Sequence, residues 1–436
     1  MKRGFHVLSL CVVIFMTICA QGQKFDKIDR DRAQDMLHAI ADDVRKHYYD
    51  PKFHGLDFDA RVRQASEKIQ QATNLGQAFA MVGWALEGLN DSHTYFTPPG
   101  RTYRPDYGWR MQMVGDRCFV THVRPKSDAE AKGLVPGDEI LSINGFTPTR
   151  DNFTTMFYVF YILAPRAGLQ IKIHGLDGQQ RQLDVMAKVR QIPRVVDLTS
   201  DSGFWDVIRQ AENADRMTRT KCEEMGPELA ICKVPEFNLD DSGVHQLLSI
   251  ARKHNGLVLD LRDNPGGYVD TLERVLGGFF DHEVKIGDRV GRQAMKPQMT
   301  KPQRHDLFTG KLVVLVDSGS ASAAELFARV IQLEKRGTVV GDRSSGLVME
   351  GKGYDHKIGS DSIILYGAMI TDADIVMTDG KSLEHRGVIP DEMLTPAPGD
   401  LNSGNDPVMA HAAELLGVKM SPEKAGKLFP YEWPKN

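Results

Sequence analysis

The feature that most constrains this chain is a grammar used twice. A short apolar strand, Gly256 to Arg262, runs into the turn Asp263-Asn264-Pro265-Gly266-Gly267 and then into a helix predicted over Val269 to Phe280. The unit recurs as a strand from Leu312 to Val316, a turn from Asp317 to Ala321, a helix from Ser322 to Lys335 and a strand from Thr338 to Val340. Apolar runs this short, bounded by turn residues and alternating with helical periodicity, describe an α/β layered domain.

The chain has 436 residues, enough for several cores at roughly 100–200 residues per domain. With 41% hydrophobic and 26% charged residues it is neither disordered nor fibrous. Residues 23–100 carry apolar positions at helical spacing, among them Met36, Leu37, Ile40, Val44, Phe79, Val82 and Leu86, and form an expected N-terminal helical domain. Residues 101–192 change to short strands (Cys118 to Val123, Glu139 to Ile143, Leu169 to Ile173) with one helix at about Asn152 to Leu163. Residues 193–400 are the α/β region, and 401–436 a closing helix and tail. Residues 1–22 read as an export signal: Lys2 and Arg3 precede a 14-residue apolar run from Val7 to Ala20, too short to span a bilayer. No later stretch reaches membrane length, so a periplasmic or secreted protein without stable membrane insertion is expected. A net charge of −4 implies no nucleic-acid partner.

Cys11 and Cys19 fall in the leader, which leaves Cys118, Cys222 and Cys232. Cys222 and Cys232, with Gly226-Pro227 between them, could bridge across a hairpin in an oxidising compartment; three buried thiols fit the sequence equally well.

Nucleophilic hydrolysis needs a fixed hydroxyl, a base beside it and donors aimed at a developing oxyanion. A strand-to-helix turn supplies the hydroxyl and the donors together, because the first helical N–H groups are unpaired. Ser322 stands at such a turn, although Ser322-Ala323-Ala324-Glu325 reads equally as a capping box. Three other motifs fail. Gly319 to Ala323 is not a G-x-S-x-G elbow, Gly346 to Lys352 lacks the Ser or Thr of a P-loop, and no H-E-x-x-H or EF-hand loop occurs. Neither a cofactor nor a metal is therefore expected.

The stretch Ser127 to Gly145, containing Gly133-Leu134-Val135-Pro136-Gly137-Asp138-Glu139-Ile140-Leu141, resembles the signature of a PDZ domain. Such domains accept an extended peptide at a sheet edge and hold its terminal carboxylate on loop amides, a loop the resemblance puts near Gly108-Trp109. With Leu89-Asn90-Asp91-Ser92-His93, Leu259 to Gly267, Ser320 to Glu325, Val340-Gly341-Asp342 and Glu384 to Asp391, the ordered set resembles the C-terminal (tail-specific) processing peptidases and tricorn core serine peptidases. The resemblance implies a crotonase-like α/β catalytic domain with an inserted PDZ domain. One branch of that family uses a Ser/Lys dyad, but the lysine position is Leu347 here, and Lys352 lacks the spacing. The Ser-His branch matches. Carried over, it implies Ser322 as nucleophile, His93 as base, Glu384 with Ser92 as orienters, and the amides of Gly267 and Ala323 as oxyanion donors.

The expectation is an exported serine endopeptidase acting on polypeptides, PDZ-assisted at substrate C-termini and compatible with homo-oligomers. A non-catalytic ligand- or peptide-binding protein on the same fold, or a PDZ scaffold with a decayed protease domain, is the competing expectation.

Overall fold

The computed structural model describes residues 25–191, 217–359 and 363–434. The expected leader, with Cys11 and Cys19, and the start of the α/β region at 193–216 lie outside the described residues.

Three helices open the chain: Lys27–His47, Phe58–Gln70 and Leu75–Glu87, with the side chains of Asp26, Asp57 and Asn74 accepting from first-turn amides as N-caps. Their apolar stripes meet in a core of Met36, Leu37, Ile40, Val44, Val62, Ile69, Phe79, Val82 and Leu86. The chain leaves this core through β1 (Tyr95–Thr97), whose Phe96 is buried edge-on against Phe79.

Next come β2 (Tyr103–Asp106), β3 (Trp109–Val114), β4 (Arg117–Val123), β5 (Glu139–Ile143), β6 (Gly168–His174), β7 (Gln180–Met186) and β8 (Lys188–Gln191). Strands β3-β4-β5-β6-β7 form one antiparallel sheet in chain order, and β2 pairs with β8. The helix expected at Asn152 to Leu163 is α-helical over Phe153–Phe157 and π-helical over Tyr158–Leu163. Its Met156, Phe160 and Leu163 are buried.

The remaining strands are β9 (Lys221–Met225), β10 (Leu229–Lys233), β11 (Gly256–Asp260), β12 (Lys285–Gly291), β13 (Gln298–Met299), β14 (Lys311–Val316), β15 (Thr338–Gly341), β16 (Met349–Ile358), β17 (Ile364–Met377) and β18 (Glu392–Met393). Six of them make a sheet in the order β18-β15-β14-β11-β10-β9, parallel except for the β9 edge. Its central strands are apolar on both faces because both are covered. Leu257, Leu259, Val314 and Val316 pack on helices Asp241–Ala251, Val269–Gly277 and Ala323–Leu333. Val258, Val313, Leu315 and Val340 pack on helix Pro407–Leu415. The segment expected to be a closing helix and tail is thus the second covering layer, with short helices Pro398–Ser403 and Pro422–Gly426 on either side of Pro407–Leu415.

Cys222 and Cys232 sit directly opposite each other on β9 and β10 and are bonded, which decides between the two sequence readings; Cys118 is a buried free thiol. A second sheet runs β1-β17-β12-β13, with β16 also on β17. The fourteen-residue β17 pairs with β1 at Tyr95↔Met369 and with β12 at Gly287↔Met377. It therefore ties the helical core to the α/β core.

Candidate active site

Ser322 is where β14 hands over to helix Ala323–Leu333. It is a non-glycine residue at φ 53°, ψ −118°, a conformation costing of order 1–3 kcal/mol that surrounding structure must enforce. Its N–H donates to Leu347 O at 3.0 Å and to Glu325 Oε2 at 3.0 Å, while Ala321 N–H donates to Asn264 O at 2.9 Å. On the open side sits Gly266 at φ +99°, where a Cβ would lie 2.6 Å from the Ser322 Cβ and 3.0 Å from the Ala323 nitrogen. Only glycine lets the two turns approach so closely.

The Ser322 hydroxyl makes no cap hydrogen bond to its helix. It lies 3.5 Å from His93 Nε2, longer than the 2.6–3.2 Å of a working nucleophile–base pair and typical of a site without substrate. The glutamate half of the expected capping box does form, and it extends further. The fully buried Glu325 carboxylate also accepts from Ser344 Oγ at 2.5 Å, Gly346 N–H at 2.7 Å and Leu347 N–H at 3.0 Å. Burial pushes its carboxyl up to about 7 against those four donors. Ser320, the neighbouring hydroxyl, is buried and donates to Leu261 O at 2.8 Å, so it cannot serve as nucleophile in this conformation.

His93 comes from a segment 229 positions earlier in the chain, between helix Leu75–Glu87 and β1. Its Nδ1 is 2.8 Å from Ser92 Oγ, and Ser92 Oγ is 2.9 Å from Glu384 Oε2. Glu384 further accepts Ser92 N–H and Val348 N–H, both at 2.7 Å. An ionised carboxylate only accepts, so the Ser92 hydroxyl must donate to Glu384 and accept from Nδ1–H. This fixes the tautomer that leaves the Nε2 lone pair facing Ser322. Burial lowers the His93 pKa, with the Asp91 charge opposing, and burial raises that of Glu384. Glu384 is thus brought to the site through Ser92, rather than on the imidazole directly.

The amides of Gly267 and Ala323 stand on the two abutting turns, and neither donates to another described residue. At the dyad position Leu347 offers Ser322 its backbone carbonyl, and Lys352 is an exposed residue of β16. Sequence reasoning missed Val348, whose amide anchors Glu384, and Asp91, whose Oδ1 accepts His93 N–H at 3.0 Å. The second had a signal in the Asp-x-His spacing of an Asx-turn.

The PDZ-like sheet braces both turns. Arg110 pairs with Asp263 at 3.1 Å, Gln112 Nε2 donates to Asp317 Oδ2 at 2.6 Å, and Ser318 Oγ donates to Met113 O at 2.5 Å. The expected carboxylate loop is differently disposed. Gly108 N–H is engaged by Asp106 Oδ1 at 3.1 Å, Asp106 is itself held by Arg124 at 2.8 Å and Arg190 at 2.7 Å, and the Trp109 ring is buried in the sheet's core. In this conformation the chain's own carboxylate takes the donor at the position expected to hold a peptide terminus.

Comparison with known proteins agrees with this architecture. A family model described as Peptidase family S41 matches residues 228–394, and a PDZ domain model matches residues 104–173. The tail-specific protease of Haemophilus influenzae is 26% identical over 293 residues, covering 65% of this chain and 39% of the relative. The carboxy-terminal processing protease CtpB of Bacillus subtilis is 27% identical over 245 residues, covering 55% and 46%. The chain thus spans less than half the length of these two relatives. The crystal structure of mature CPAF shares the fold at a TM-score of 0.62 and 15% identity, covering 86% of this chain and 95% of that one.

Proposed function

From a chain whose residues 228–394 belong to Peptidase family S41 and whose residues 104–173 are a PDZ domain, we propose an exported serine endopeptidase that cleaves polypeptides through an acyl-enzyme. The observation that carries this reading is the unbroken line from the Ser322 hydroxyl through His93 and Ser92 to Glu384.

Ser322 Oγ attacks the peptide carbonyl and passes its proton to Nε2 of His93, which returns it to the leaving amine; water then repeats the cycle on the ester. The imidazolium formed in between is stabilised by Ser92, whose hydroxyl leans its charge on Glu384. The free amides of Gly267 and Ala323 receive the oxyanion, as donors fixed in place before the charge develops. Leu347 at the dyad position supports a histidine base over a lysine. The Cys222–Cys232 bridge supports export, because disulfides persist in oxidising compartments. Among the described residues no helix is long and apolar enough to cross a membrane. The PDZ domain would recruit substrate chains, and a terminal carboxylate reaching Gly108 would have to displace Asp106.

Labelling with a fluorophosphonate probe tests the reading. Wild-type protein should be labelled at Ser322, and Ser322→Ala and His93→Ala should not. An unlabelled wild type that binds peptides would favour the non-catalytic alternative.

A further inference from the structure

The segment that presents His93 is held more tightly than a loop requires. Asn90 adopts φ +53°, and its carbonyl accepts from His385 Nε2 at 2.9 Å, while Leu89 O accepts the Tyr48 hydroxyl at 3.3 Å. Between these anchors and Ser92, Asp91 Oδ1 takes two donors at once, the His93 N–H at 3.0 Å and the Thr371 hydroxyl. Thr371 is fully buried on β17. Its oxygen accepts the Thr94 hydroxyl at 3.1 Å, and its N–H donates back to Thr94 Oγ1 at 3.1 Å. A carboxylate cannot donate, so the proton order runs from Thr94 to Thr371 to Asp91. Asp91, two residues before His93, and Thr94, one residue after it, are thus both tied to one threonine of the strand that joins the two cores.

The other oxygen, Asp91 Oδ2, is shielded from solvent and has no hydrogen-bond partner among the described residues. It borders a cavity of about 560 Å³ lined by Tyr49, His54, Asn90, Glu384 and His385. None of the described lysines or arginines forms an ion pair with it. We propose that Asp91 is a positioning residue for the base, its carboxylate locking the turn around His93 onto Thr371 and so setting the imidazole in register with Ser322. This rests on the reading of His93 as the base.

Such a residue acts by charge as well as by anchorage, and the two can be separated. The titratable groups around the pair are Tyr48, Tyr49 and His54 after the first helix, Asp50 beside them, and Glu384 and His385 on the late loop. Burial, and then the Asp91 charge, keep the Tyr48 phenol protonated. Across from His93, β16 offers Gly351, flanked by Glu350, which is paired with Arg289, and by Lys352, which lies by Asp372. Asp91, paired with no described lysine or arginine, is therefore a charge that favours the imidazolium. Asp91→Asn keeps an acceptor oxygen and removes that charge.

The His93 titration is followed by NMR in a Ser322→Ala background and assigned with His93→Gln. Adding Asp91→Asn should lower the midpoint by about half to one pH unit. In the otherwise wild-type enzyme, Thr371→Val should lower kcat about tenfold with KM unchanged, and Thr371→Ser should restore it. An unmoved midpoint, or a wild-type kcat in Thr371→Val, overturns the proposal. The titration needs no activity, so an enzyme unlabelled by the fluorophosphonate probe would sink the peptidase reading while the midpoint still tested the Asp91 contact.

Discussion

Gly266→Ala is the most informative single change, because the structure sets its magnitude. The new methyl would sit 2.6 Å from the Ser322 Cβ, 2.9 Å from Ala321 O and 3.0 Å from Ala323 N. Carbon atoms rest about 3.5–4.0 Å apart, so one turn must retreat by about 1 Å. Alanine at φ +99° adds roughly 1–2 kcal/mol of backbone strain. Most of that cost falls on the geometry of Ser322 and the Ala323 amide, where a displacement of about 1 Å is worth about 10²-fold in rate. We therefore expect kcat/KM on a quenched fluorescent peptide to fall about a hundredfold, with a melting temperature lowered by only a few degrees. Gly353→Ala is the matched control: it is exposed on β16, with nothing within 4 Å of the added Cβ, and should leave both measurements unchanged. Wild-type kcat/KM in Gly266→Ala would mean that the two turns do not meet at the reacting centre.

Ser92→Ala removes the hydroxyl that links His93 to Glu384, and a hydrogen bond to a charged group is worth about 1.5–3 kcal/mol, so kcat should drop about 10–100-fold. Because burial lowers the His93 pKa, the acid limb of kcat/KM should lie below the ordinary value of about 6.5. The unfolded chain binds that proton more readily, so His93 should also destabilise the fold as pH falls below about 6.5; pH-dependent urea denaturation of wild type and His93→Gln reads this difference. Glu325→Gln leaves two of four donors facing an amide NH₂, a loss of about 2–6 kcal/mol. Relief of a buried charge whose pKa stands near 7 offsets this by about 3 kcal/mol, so activity should suffer more than the melting temperature. Replacing Cys222 and Cys232 by alanine should cost about 3 kcal/mol in urea unfolding for a separation of 10 residues, with activity per folded molecule retained.

The two strand-turn-helix units were legible because each apolar run is buried on both faces and each turn carries the glycine or serine its geometry demands. The residues meeting at the site could be named from motifs, since Ser322, His93, Ser92 and Glu384 each sit in a block of fixed local sequence. What local sequence could not carry is contact between distant segments. β17 was not recognised because Asp372 and Asp374 interrupt its apolar alternation; its burial comes from β1, β12 and β16. Nor could spacing reveal that Glu384 reaches His93 through Ser92, or that Asp106 occupies the amide of Gly108. Both depend on carboxylates finding the nearest donors after the sheets have packed.

His93 and Ser322 are separated by 229 positions, and Ser92 and Glu384 by 292. Contacts of that span are the slow part of folding, since closure of the intervening chain precedes any reward from the contact. A polypeptide made from its N-terminus carries His93 early, Ser322 late and Glu384 later still. The constellation proposed for catalysis is therefore complete only when nearly the whole described chain has assembled. A half-made or partly refolded molecule exposes extended segments before His93, Ser322 and Glu384 have come together, so on the proposed reading it could not cleave them or its neighbours.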